Sequence, residues 1–393
     1  MSEPSFPAAP PFIPPGSSAP TEGPASGSAL DGSLGDSAPS SKVRGSAHGA
    51  PMDELEPPFA PKARTNVLLF FATVASVFYV GSAYAAGHFR LESFGQALAA
   101  AWIYAVPLMA ILLAHEFGHY IAARIHKVPA SLPYFLPLPI LNPFGTLGAV
   151  IVMPERIRSR NALMDIGAAG PIAGMVVAIP LMALGIHLSE VVPSFDYGLV
   201  IHEGDSLLYW LLKRLVLGPM PEGYDIQTHP LALAAWVGFF VTFLNLFPYS
   251  QLDGGHIAYA LLGERQNRFA RWVRYAPLVL AVYNFAAHGV PAISAYLASG
   301  PSGNRELAYL APIATSVNWV FLFGLLWFMS RRVGPGHPPV DDERLSPGRA
   351  LVGIVSLVIF LLVFIPTPWM QAWLGPAPPA TAEPEQASHA RGR

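Results

Sequence analysis

Ala114-His115-Glu116-Phe117-Gly118-His119 places two imidazoles four residues apart with a carboxylate beside the first. On a helix that spacing puts His115 and His119 on one face, where they can grip a single zinc ion, and sets Glu116 next to the water such an ion activates. A chance HExxH in a chain of this size is on the order of one percent. A catalytic zinc takes three protein ligands and keeps a position open for water, and with no cysteine in the chain the third ligand must be His, Asp or Glu. Asp253 is the best candidate. It follows Pro248, which breaks a helix, and precedes Gly254-Gly255, which free the backbone to fold around a site. The bland reading of Asp253 is a solvated turn residue, and His256 is the rival ligand, its alternative being a supporting or helix-start residue.

The elements that must carry these groups are membrane helices. Of the 393 residues, 52% are hydrophobic and 12% charged, about half the charge of a soluble domain. Apolar runs long enough to span a hydrocarbon core are expected at about Asn66–Ala86, Gln96–Ala123, Leu163–Leu188, Leu231–Phe247, Ala276–Leu297, Pro312–Met329 and Ala350–Met370. His115 and His119 then lie inside the second span, where unpartnered polar groups cost a few kcal/mol each, and metal ligation gives them a common reason to be there. Leu207 to Leu217 is too short to span and reads as an interfacial or extracytoplasmic helix. Ser131 to Glu155 is apolar but proline-rich and then β-branched, which suits a re-entrant hairpin better than a helix. The expected fold is therefore an all-α polytopic membrane protein of about seven transmembrane helices with a re-entrant β-hairpin-like segment after the second.

Orientation follows from the cations. With the N-terminus in the cytoplasm, only Arg90, Lys213, Arg214, Arg305, Arg391 and Arg393 of the 23 Lys and Arg fall outside. The second and fourth spans then both run inward and bring His119 and Asp253 to the same end, a coincidence that charge alone produces. Net charge is -2, so there is no nucleic-acid footprint. Residues 1–60, rich in Pro, Ser, Gly and Ala, read as a disordered cytoplasmic tail, and 376–393 as a second tail. Gly170 to Gly174 reads as close helix packing. His187, His202, His229 and His288 read as ordinary surface residues.

HExxH in an early span paired with Asn245-Leu246-Phe247-Pro248-Tyr249-Ser250-Gln251-Leu252-Asp253-Gly254-Gly255 resembles the site-2 protease family of intramembrane zinc metalloproteases. Asp165 to Gly174 resembles that family's small-residue helix. The resemblance implies that His115, His119 and Asp253 bind Zn2+, that Glu116 is the catalytic base, and that Asn245 lines the site and holds substrate or oxyanion. It implies a catalytic region over 61–300, with additional helices over 301–375. It further implies regulated proteolysis of transmembrane protein substrates in a multi-pass protein of a bacterial plasma membrane, with lipid as its surroundings and homo-oligomerisation left open. A divalent-metal transporter has no use for Glu116, and an inactive membrane scaffold would be expected to have lost Glu116 or a ligand.

Overall fold

The computed structural model describes residues 63–140, 142–153, 157–193, 199–299, 306–334, 336–341 and 343–373, all within one compact unit. The tails expected over 1–60 and 376–393 lie outside the described residues. The fold is mostly helical. Among the described residues, four helical stretches are long and apolar enough to cross a membrane: Ala63–Phe89, Phe94–Ile125, Arg160–His187 and Arg265–Ser294. The first is α1 (Ala63–Phe89), the second comprises α2 (Phe94–Ala100) and α3 (Trp102–Ile125), and the third is α4 (Arg160–His187). Ser93 and Ser159 cap α2 and α4 by accepting the backbone N–H of Gln96 and Ala162.

Between α3 and α4, strands β1 (Tyr134–Leu138) and β2 (Gly145–Val150) pair antiparallel, with Tyr134 opposite Val150 and Leu138 opposite Gly145. This hairpin lies along α1. Asn66 Nδ2 donates to the Leu132 and Pro133 carbonyls, Ser76 Oγ to Gly145 O, and Tyr84 Oη to Pro143 O. From Asn66 to Tyr84 these anchors cover about 27 Å of helix. At the hairpin tip Phe144 is buried and packs on Trp236 and Phe240.

Those two rings belong to α6 (Pro230–Asn245), the innermost helix, whose residues Leu231 to Phe239 are all buried. A helix apolar on every face belongs in the interior. At 16 residues, or about 24 Å, α6 is shorter than a typical spanning helix, and its C-terminal end is where the chain turns toward Asp253.

The segment between α4 and α6 departs from an all-α expectation. It holds β3 (Glu190–Pro193), β4 (Leu199–Glu203), α5 (Leu207–Leu217) and β5 (Tyr224–Gln227). The short helix lies where the apolar run placed it, but β3 pairs with β5, and β4 pairs with β6 (Trp369–Trp373). The last expected span is correspondingly too long. Helix α12 (Pro347–Leu362) ends before Pro366 and Pro368, which lack the N–H a helix needs, and the chain leaves as β6.

After α6 come α7 (Asp253–Leu262), α8 (Arg265–Val273), α9 (Ala276–Asn284), a π turn (Phe285–Gly289), α10 (Val290–Ser299) and α11 (Glu306–Val333). The fifth expected span is thus interrupted rather than uniform. Aromatic stacking of Phe243 on Phe360, and its edge contact with Trp319, join α6, α11 and α12 in one core.

Candidate metal centre

α3, α4 and α7 build the site. His115 and His119 face the same side of α3, one turn apart, with Nε2 atoms 3.2 Å from each other. Asp253, the first residue of α7, brings Oδ2 to 3.3 Å from His115 Nε2 and 3.2 Å from His119 Nε2. Asn245, the last residue of α6, places its amide 3.1 Å from His115 Nε2. Glu116 is buried, with 5% of its surface exposed, and interacts electrostatically with His115, His119 and Asp253. All five residues singled out from the sequence therefore converge.

The donor set suits a divalent cation. His119 Nδ1 lies 2.7 Å from the Ile166 carbonyl, an acceptor only, so Nδ1 carries the proton and Nε2 offers a bare lone pair. That lone pair, the His115 nitrogen and a carboxylate oxygen converge in a buried place, where one cation between them would satisfy all three. Bonds of about 2.0–2.1 Å at a tetrahedral angle separate donors by about 3.3 Å, which matches the triangle of ligand atoms. Among the described residues this is the one group of three that could hold a metal.

The small residues of α4 are what let the imidazoles fit. A Cβ on Gly170 would run into the His119 ring at Nε2, one on Gly174 would press on His115 Nδ1 at 3.3 Å, and one on Gly118 would meet the backbone of Ala169. The glycines read as helix packing therefore do pack, but two of them, Gly170 and Gly174, pack against His119 and His115. Gly170→Ala is expected to push the His119 ring off its Ile166 anchor, lowering metal content and destabilising the fold by about 1–3 kcal/mol. Metal analysis and thermal unfolding check it against Gly87→Ala, whose new methyl meets nothing within 4 Å.

The turn that carries Asp253 is as constrained. α6 ends at Asn245, Pro248 lacks a donor, Ser250 has φ of 49°, and Cβ atoms on Gly254 and Gly255 would strike the carbonyls of Leu246 and Ser250. His256 lies one turn into α7 and contacts not the ligand triangle but His337, Nδ1 to Nε2 at 2.8 Å. His337 Nδ1 donates to the Pro338 carbonyl at 2.6 Å and its ring stacks on Tyr259. Burial holds the His337 imidazole below its ordinary pKa, keeping it neutral. Sequence reasoning missed His337. Its one signal was a single histidine in the proline-rich stretch Pro335 to Pro339 joining α11 to α12. His229 also differs from expectation: it is buried, accepts the Leu231 N–H at the start of α6, and lies edge-on to His88.

Apolar helices around a buried two-histidine, one-aspartate triangle, with a glutamate beside it, define a membrane protein of the HExxH metal-binding class. Residues 103–283 match the model of peptidase family M50, the site-2 protease family. Among curated proteins, the chain is 31% identical over 271 residues to the probable zinc metalloprotease EGY2, chloroplastic, of Oryza sativa subsp. indica, covering 67% of this chain and 42% of that protein. It is 35% identical over 166 residues to the probable zinc metalloprotease EGY1, chloroplastic, of Arabidopsis thaliana, covering 41% of this chain and 29% of that one. The chain thus spans about two fifths or less of the length of these relatives. No solved structure matches it.

Proposed function

We propose that the protein is an intramembrane zinc metalloprotease that hydrolyses peptide bonds within transmembrane segments of other membrane proteins. The observation that carries this reading is the ligand triangle of His115, His119 and Asp253 with Glu116 beside it, on a helix long and apolar enough to cross the membrane. Zinc held by the three ligands would supply Lewis acidity toward a scissile carbonyl and acidify a water. Glu116 takes the proton of the attacking water and passes it to the leaving nitrogen. Asn245, its amide beside His115, donates to the oxygen on which charge develops. The buried surroundings exclude bulk water and strengthen each of these interactions. Metal content and cleavage of a model transmembrane peptide by the purified full chain, with and without chelator, test the reading. Cleavage that survives complete removal of the metal would end it.

The catalytic region is assigned to 61–300 and the further helices to 301–375, making seven crossings with α6, α11 and α12 included. The hairpin β1–β2 is taken as re-entrant, on the support of its anchors along α1 and of Phe144 against α6. Charge asymmetry supports an N-terminal side in the cytoplasm, here of a bacterial plasma membrane. His119 lies five residues before Arg124, so the metal sits about 7–10 Å inside the cytoplasmic boundary. Substrates should be cut in the inner half of their own span, most readily where Gly, Pro or Asn weakens the helix, and release a cytoplasmic fragment. Mass spectrometry of products from a substrate with a mapped span reads this directly, and cuts clustered in the outer half would contradict it.

A further inference from the structure

The two faces of α8 differ. On the inner face Gln266 and Ala270 are fully buried, and Gln266 Nε2 donates to the Pro248 carbonyl at 3.3 Å, within the turn that leads to Asp253. Asn267 donates Nδ2 to the His337 carbonyl at 3.2 Å and accepts the His337 N–H at 2.7 Å, and His337 holds His256. α8 therefore braces the Asp253 turn twice, once directly and once through His337.

On the outer face Arg265, Arg268, Phe269 and Trp272 recur at i, i+3, i+4 and i+7 and share one exposed stripe, with exposed Arg271 beside it. Trp272 is 75% exposed and Phe269 54%. Tyr275, just beyond α8, stacks on Phe323 of α11, whose end carries Arg331 and Arg332 over the rings of Trp327 and Phe328. Among the described residues none of Arg265, Arg268, Arg271, Arg331 and Arg332 has a carboxylate partner.

Guanidinium groups beside exposed Trp and Phe, at the charged end of the membrane-crossing stretch Arg265–Ser294, match the chemistry of an anionic bilayer surface. Lipid phosphate accepts the guanidinium donors, while the acyl boundary accepts the rings. An acidic soluble partner would use the arginines and leave the aromatic stripe in water. We infer that the outer face of α8, with the end of α11, binds anionic phospholipid headgroups. The bound lipid holds α8 where Gln266 and Asn267 brace the Asp253 turn.

The test uses the full chain in detergent, titrated with phosphatidylglycerol or phosphatidylcholine in mixed micelles, with bound lipid counted by native mass spectrometry. Each basic residue facing such a surface contributes about fivefold, so wild type should retain phosphatidylglycerol at least about tenfold more tightly than phosphatidylcholine. Arg265→Gln, Arg268→Gln and Arg271→Gln together should cut that preference at least about fivefold, and lysine at the same three positions should restore it. Phosphatidylglycerol should also tighten zinc binding by wild type and not by the glutamine variant, a readout independent of cleavage. Equal retention of the two lipids by wild type, an undiminished preference in the glutamine variant, or full displacement of the lipid by millimolar inorganic phosphate would overturn the lipid site. Zinc affinity indifferent to phosphatidylglycerol would overturn the bracing.

Discussion

Glu116→Gln is expected to leave fold and metal in place and to reduce cleavage by about 10²–10⁴-fold. The substitution keeps the side chain's shape in a place where only 5% of the residue is exposed, so packing is spared. His115, His119 and Asp253 are untouched, so the ligand triangle remains. What disappears is the ability to take a proton, because an amide oxygen is far less basic than a carboxylate. Cleavage of a transmembrane peptide and metal content should be measured on the same preparation. Undiminished turnover would remove Glu116 from the proton transfer, and loss of metal together with turnover would make it a structural support instead.

The second large effect separates Asp253 from its rival. Asp253→Ala should empty the site, because it removes the Oδ2 that lies 3.2–3.3 Å from both imidazole nitrogens and leaves two ligands where catalytic zinc takes three. Changing a partner that only supports a ligand typically lowers metal affinity 10–100-fold, so loss of a ligand itself should exceed about 100-fold. His256→Ala should stay within about tenfold of wild type, since His256 bonds His337 and lies outside the triangle. Zinc titration of the two purified variants decides between them. If His256→Ala emptied the site while Asp253→Ala kept it, the third ligand would have to be reassigned.

Both predictions rest on residues that type and spacing along the chain single out. The pair His115 and His119 is legible because helical spacing is a local property: four residues apart means one face, wherever the helix goes. The break at Pro248 and the glycine pair after Asp253 are legible for the same reason, since they act on their own backbone. The ends of α1, α4 and α6 lie within a few residues of the apolar runs that announce them. The last run misled because hydropathy continues through Ile365, Trp369 and Met370, whereas the missing donors at Pro366 and Pro368 end helical structure.

Residue types and local spacing thus determined the elements of the proposed chemistry: two histidines on one face of a membrane-length helix, a glutamate beside them, and a carboxylate at a helix break. The proposed orientation, drawn from charge asymmetry, would bring the two motifs to one end without reference to either. Only the tertiary structure decided which glycine meets which ring, that His256 pairs with His337, that Phe144 reaches α6, and that β4 finds β6 across the chain. The reason is physical. Spacing along a helix is set by bonds within one turn, but apolar faces are interchangeable as far as hydropathy goes. Partners between them are selected by shape, by where a missing Cβ leaves room for an imidazole, and by which buried donor must find an acceptor.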